Sequence, residues 1–152
     1  MFAKKEWIYK KTQELKKRLY ISEIFEKEGK ILFLGEKKSL HVKSLVSFYK
    51  EATKEIVLSE IEKLSKSTSL YPSKISFRKT KRRWGSCNYK NELNFTITLS
   101  QLPIECIRYI ILHELTHIKY KNHQKEFYAF IKRHMSNYKE LEKEIKTYSP
   151  MV

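Results

Sequence analysis

Residues 104–120 read IECIRYIILHELTHIKY, and this stretch decides the fold. Pro103 suits the first turn of a helix, and neither Gly nor Pro occurs between it and Tyr120. Stepping about 100° per residue from Ile104 gathers Ile107, Ile110, Ile111, Leu115 and Ile118 within roughly 140° of one face, which predicts a helix with that face in the core. His113 and His117 fall about 40° apart beside this face, and Glu114 falls inside its angular range. An unpaired carboxylate at a half-buried position is costly or takes up a proton, so Glu114 asks for a partner such as a metal-bound water.

The run His113-Glu114-Leu115-Thr116-His117 is an HExxH pattern. One helical turn brings two imidazoles to a shared point, where each nitrogen can lie about 2.0–2.1 Å from one zinc ion, while the glutamate reaches the open position. A catalytic zinc takes a third protein ligand. His123 lies six residues past His117, just where Lys121 and Asn122 should end or bend the helix, and Glu126 and Glu140 compete for the role. His41 and His134 have no ligand-spaced neighbour and read as surface or structural residues. Cys87 and Cys106 are too few for a disulfide framework and read as small buried residues in a reducing compartment.

Composition narrows the chemistry further. The 152 residues suit one compact domain or a small core with an arm, burying about 70% of the unfolded chain's surface. With 41% hydrophobic and 13% aromatic residues, the chain is too apolar for disorder. All 17 acids are Glu. The absence of Asp excludes a Ser-His-Asp triad, an aspartic dyad, a Walker-B Asp and an EF-hand loop. A formal charge of +15, mostly scattered Lys, favours a solvated surface, or else sequence-blind nucleic-acid binding that weakens steeply with salt. No apolar run approaches a membrane span and no signal peptide opens the chain, so a soluble cytoplasmic protein is expected.

Outward from the histidine helix, pattern changes mark the other elements. Residues 3–19 carry Trp7, Ile8, Leu15 and Leu19 at sparse helical spacing, which predicts a surface helix. Gly29 and Gly35 bracket Ile31, Leu32, Phe33 and Leu34, and alternation resumes at Leu40 and Val42, a hairpin pattern. Residues 44–65 place Leu45, Phe48, Tyr49, Ala52, Ile56, Ile61 and Leu64 near helical period, which predicts a long amphipathic helix. Ile75, Phe77 and Lys79 alternate as a strand, and Leu93, Phe95, Ile97 and Leu99 form the clearest strand. Between them, Trp84 is expected to pack, Gly85 to permit a tight turn and Cys87 to be buried, although Arg83 and Trp84 could also line a cleft. A last helical stretch starts near Asn122 and runs brokenly to Tyr148.

Several of these residues together resemble the YgjP-like metallopeptidases, relatives of the SprT-like and minigluzincin zinc peptidases. Arg83-Trp84-Gly85-Ser86-Cys87 is similar to that family's RWGSC, Leu93-Asn94 to its LN strand, and Tyr109 with His113-Glu114-Leu115 and His117 to its YVVxHELxH. Asn122, His123 and Phe127 resemble its NHxxxF. A weaker likeness runs upstream, at Glu6-Trp7-Ile8 and across residues 30–42. Family members carry a further β-rich arm ahead of the Trp7-like helix, and a longer strand region where this chain passes from Val42 into the Ser44 helix. The resemblance implies one Zn2+ held by His113, His117 and His123, with Glu114 as general base. It also implies that the strand from Leu93 is the edge that pairs with an extended peptide, making Asn94 and Phe95 substrate-binding residues.

The expected architecture is α+β: a small antiparallel sheet packed on the zincin-like helix carrying HExxH, with the long helix supporting it. Residues 1–71 would supply the first helix, hairpin and long helix, and residues 72–152 the metallopeptidase-like core, in one compact unit. A zinc-dependent peptidase acting on protein or peptide is the leading expectation. The alternatives are a basic nucleic-acid-associated module with a structural metal, or a peptidase acting on nucleic-acid-bound protein. No membrane partner is expected.

Overall fold

A computed structural model describes residues 30–39, 44–80 and 82–148. The helix expected over residues 3–19, and Leu40, His41 and Val42, lie outside the described residues. A hairpin opens the described chain, with β1 (Lys30–Phe33) antiparallel to β2 (Glu36–Ser39). Its two-residue turn has positive φ at Leu34 (50°) and Gly35 (78°), the combination whose twist matches paired strands. The turn is held from outside: the Leu34 and Gly35 N–H groups donate to the carbonyls of Ser100 and Gln101, each at 2.7 Å. A methyl on Gly35 would stand 2.7 Å from Pro103 Cγ, so the hairpin tip presses directly on the residue that starts the histidine helix.

The long helix α1 (Leu45–Thr68) begins where Ser44 Oγ accepts the Ser47 N–H, and ends at Ser69, whose left-handed backbone (φ 59°) returns its N–H to the Ser65 carbonyl. Its buried stripe is Tyr49, Thr53, Val57, Glu60, Ile61, Ser65 and Thr68, rotated from the purely apolar face that the sequence suggests. Two of the polar members make bonds across the core. Thr53 Oγ1 donates to the Ile97 carbonyl at 2.6 Å, and Glu60 takes Arg108 at 3.0 Å from the histidine helix.

Next come three strands: β3 (Lys74–Arg78), β4 (Gly85–Cys87) and β5 (Glu92–Thr96). Their spatial order is β3-β5-β4, with β3 parallel and β4 antiparallel to β5. The expected all-antiparallel sheet is therefore mixed. The chain leaves β3, crosses to the far side, descends as β4 and returns between the two, so β5 runs the same way as β3. Alternation in sequence reports a strand's faces and not its neighbours, which is why this order is hidden in the sequence. β5 also stops at Thr96, short of the expected Leu99. The last bond of the ladder, Ile97 N–H to the Arg78 carbonyl at 3.0 Å, exhausts β3, and residues 99–101 close into a 3-10 turn whose Leu99 stays fully buried.

Helix α2 (Ile104–Lys119) then passes through the middle of the molecule, and after it come α3 (Lys125–His134) and α4 (Tyr138–Ile145). Cys106, Ile107, Ile111, Leu112 and Leu115 of α2 are fully buried. One continuous core joins them to Val57 and Ile61 of α1, Leu93 and Phe95 of β5, Phe127 and Ile131 of α3, and Leu141 of α4. The fold is thus α+β, with the residues flanking the histidines gripped on every side. No helix among the described residues is long and apolar enough to cross a membrane.

Candidate metal centre

His113 and His117 stand one turn apart on α2, and the chain then turns back on itself to bring a third imidazole to them. Tyr120 leaves helical geometry (φ −122°) while its N–H still reaches the Thr116 carbonyl at 2.8 Å. A further turn, Gln124 N–H to the Asn122 carbonyl at 2.8 Å, delays α3 until Lys125 and leaves His123 in the joint. His123 Nε2 consequently lies 3.0 Å from His117 Nε2 and 3.2 Å from His113 Nε2. Nitrogens at tetrahedral angles around an ion at about 2.05 Å would be about 3.3 Å apart, so these three donors fit a single zinc-sized cation.

The surroundings hold the donors in that state. His117 Nδ1 lies 3.0 Å from the Tyr120 carbonyl, an acceptor only, which places the proton on Nδ1 and a lone pair on Nε2. Fully buried Phe127 lies under the group, its ring centroid 4.9, 4.6 and 5.1 Å from those of His113, His117 and His123. Tyr109 meets His113 edge-on at 6.0 Å and donates its hydroxyl to Glu142. Burial, then the His117 and His123 rings, push the His113 pKa down to about 3. Burial also lowers that of His117, against the opposing pull of the Tyr120 carbonyl. Both imidazoles are therefore neutral near pH 7, the form that ligates.

Glu114 is 7% exposed, and no described residue donates a hydrogen bond to it or pairs with it. Burial raises its pKa to about 7, with Arg83 pulling the other way. Strand β4 lies over it: a methyl on Gly85 would stand 3.3 Å from Glu114 Cγ and 3.0 Å from the Phe95 ring. Gly85 thus permits close approach within a strand and not the tight turn expected of it. A buried carboxylate that no described residue satisfies, next to three imidazoles that share a focus, is an arrangement suited to metal-assisted hydrolysis.

The family described as YgjP-like, metallopeptidase domain, matches residues 38–148. This chain belongs to the YgjP-like metallopeptidase family. The matched span opens in β2 and runs past α4, so it takes in α1, the sheet and all three histidines of the centre. Among solved structures, the crystal structure of the metallopeptidase zymogen of Pyrococcus abyssi abylysin is similar. It shares 22% identity at a TM-score of 0.55, over 60% of this chain and 92% of that one. At that identity the likeness shows the fold. Comparison with curated proteins gives no match.

In this YgjP-like domain the other residues singled out from sequence fall in varied places. Among the described residues, the one cluster of possible metal ligands is His113, His117 and His123; neither Glu126 nor Glu140 joins it, and both are exposed. His134 is exposed and packs on Phe130 at 4.8 Å between ring centroids. Cys106 is fully buried, with its thiol pushed up to about 12, first by burial and then by Glu144. Cys87 is half-buried on β4, within the electrostatic reach of Glu114 and Lys121. Trp84 is half-buried against the core.

Strand β5 is not an edge. It pairs on both sides, its Phe95 is fully buried, and its Asn94 contacts Ser76 at 3.3 Å. Among the described residues, the unpaired edge beside Glu114 belongs to β4. The Trp84 carbonyl accepts from Thr96 N–H at 3.0 Å and the Asn88 N–H donates to the Glu92 carbonyl at 3.2 Å. With Ser86 opposite Asn94, the even-numbered residues face β5, and antiparallel alternation turns the backbone groups of Gly85 and Cys87 outward. Sequence reasoning misses this edge because three residues are too few to show a period, and misses Phe127 as the floor because an apolar residue at helical spacing reads as ordinary core.

Proposed function

We propose that this chain is a zinc-dependent peptidase in which His113, His117 and His123 hold one zinc ion through Nε2 and Glu114 is the general base. Bound there, zinc supplies Lewis acidity toward a carbonyl oxygen and toward water. The chain's own contributions come from its geometry. Phe127 and the Tyr120 carbonyl orient the imidazoles before any ion arrives, which limits the reorganisation that binding requires. Glu114, screened from bulk water, accepts a proton from the attacking water at a carboxylate oxygen and delivers it to the leaving amine nitrogen. An extended peptide, paired with the outward backbone groups of Gly85 and Cys87, brings its scissile bond across Glu114. The substrate-pairing role therefore passes from Asn94 and Phe95 to β4.

The observation that carries this reading is the convergence of three imidazoles beside a buried carboxylate that no described residue satisfies. Hydrolysis of reduced, unfolded casein tests it. Zinc-loaded protein should cleave, chelator-stripped protein should not, and added zinc should restore cleavage. Cleavage that survives stripping to less than one-tenth of an ion per chain, on the order of a contaminant, would overturn the metal requirement.

A further inference from the structure

We propose that the peptide taken by β4 is acidic, and that Arg83 and Lys121, one toward each end of that strand, select it. The inference rests on the peptidase reading, since it names the substrate class of the same site.

Residues 72–103 carry seven Lys and Arg against a single acid, Glu92. That acid is already engaged, accepting Asn88 Nδ2 at 2.9 Å. Among the described residues, no carboxylate forms an ion pair with Arg78, Lys79, Arg82, Arg83 or Lys121; the ion pairs there join Lys63, Lys66 and Arg108 to Glu60, Glu62 and Glu105. The described cations that lead into β4 thus have no carboxylate partner among the described residues.

Arg83 and Lys121 stand toward the two ends of the strand. Arg83 is exposed and stands two residues ahead of Gly85, the residue that lies on Glu114. Lys121, in the loop that carries His123, reaches the other end of the strand, with Nζ 3.3 Å from the Asn88 carbonyl and 2.5 Å from Asn91 Oδ1. Both acceptors are neutral and an ammonium has three N–H donors, so its charge remains available. The fields of both cations extend into the centre, Arg83 acting on Glu114 and Lys121 on His117 and Cys87. From residue 83 to residue 88 an extended chain covers about 16 Å, the span of about five residues of a paired peptide. A polyanion of any kind would be drawn to these cations, but only a polypeptide also uses the outward N–H and C=O groups of Gly85 and Cys87.

Fluorescence anisotropy with zinc-loaded, full-length Glu114→Gln protein tests the selection without turnover. The probes are labelled peptides of equal length and identical centre, flanked by Glu, Gln or Lys, with single-stranded DNA as competitor. The Glu-flanked peptide should bind at least about tenfold tighter than the Lys-flanked one. Introducing Arg83→Glu should reverse the order, Arg83→Lys should keep it, and Lys54→Glu, an equal charge change on exposed α1 surface, should leave it intact. Equal binding of the peptides, an order unmoved by Arg83→Glu, the same shift from Lys54→Glu, or displacement by DNA at concentrations below the peptide's own Kd would each overturn the proposal. Cleavage of the same peptides by wild type separates the two readings. Cleavage without preference for Glu leaves the peptidase and removes the selection. Arg83-dependent binding of the Glu peptide with no cleavage of any peptide leaves the selection and removes the peptidase.

Discussion

The turn between α2 and α3 and the short strand β4 both border the candidate metal centre, and they are built by opposite rules. The turn gathers three imidazoles on a fully buried phenylalanine and fixes one of them by a backbone carbonyl. Strand β4 has three half-buried residues, one paired edge, one edge left open among the described residues, and a glycine in place of a side chain over Glu114. Ion binding needs nitrogens held to within tenths of an ångström, which only a packed floor can supply. Peptide binding by strand addition needs unpaired backbone groups, which only an edge can supply. Rigidity and openness thus belong to separate segments that meet at one carboxylate.

The largest effect should come from the packed side. His113→Ala and His117→Ala should each abolish stoichiometric metal binding, and His123→Ala should weaken it by more than about tenfold while Glu126→Ala changes little. Metal content after dialysis against a weak chelator checks this, and full retention by the histidine variants would break the comparison on its metal side. Next, Phe127→Ala should lower unfolding stability by about 3–5 kcal/mol, as loss of a fully buried phenylalanine does. The milder Phe127→Leu should keep the fold but loosen metal binding severalfold in chelator competition, since Leu cannot contact all three rings.

On the open side the expected effect is smaller and falls on turnover. Gly85→Ala places a methyl 3.0 Å from the Phe95 ring and 3.3 Å from Glu114 Cγ. It should reduce kcat about tenfold or more while leaving metal content unchanged, because a displaced base no longer meets the water it deprotonates. An equal loss of metal and turnover would show that the two segments are not separable.

The smallest effect concerns pH and the metal-free protein. The His113 imidazole, pushed from its ordinary 6.5 to about 3, adds stability that is present above about pH 6.5 and lost as pH falls toward 3. Glu114, raised from 4.5 to about 7, adds stability that is present below pH 4.5 and lost as pH rises through 7. Between pH 4.5 and 6.5 the two slopes oppose. Thermal unfolding of metal-free Glu114→Gln across that window should therefore show Tm rising more steeply with pH than in wild type.

Periodicity and fixed spacing encode the legible part of this molecule. Helix α2, its buried face and the His113-Glu114-His117 cluster can be read from seventeen consecutive residues, and the long α1 from its spacing and its lack of Gly or Pro. The third member of the cluster is only narrowed by spacing, which leaves His123, Glu126 and Glu140 open. The choice among them depends on a turn made by backbone bonds of Tyr120 and Gln124 that no side-chain pattern announces. The order of the sheet is hidden for a related reason. Leu93 and Phe95 announce a strand with one buried face, but whether that strand lies at an edge or in the middle depends on where β4 is laid down. Thr53 and Glu60 inside the α1 stripe cannot be foreseen either, because their partners, the Ile97 carbonyl and Arg108, lie 44 and 48 residues away.

On the function proposed, one carboxylate between these two segments does chemistry that the metal ligands alone do not. Zinc content and casein hydrolysis, measured together on zinc-reconstituted wild type and Glu114→Gln, test it most directly. One zinc ion per chain is expected in both proteins, with hydrolysis falling at least about a hundredfold in the variant because an amide accepts no proton from water. Equal turnover by the two proteins at equal zinc content would contradict it.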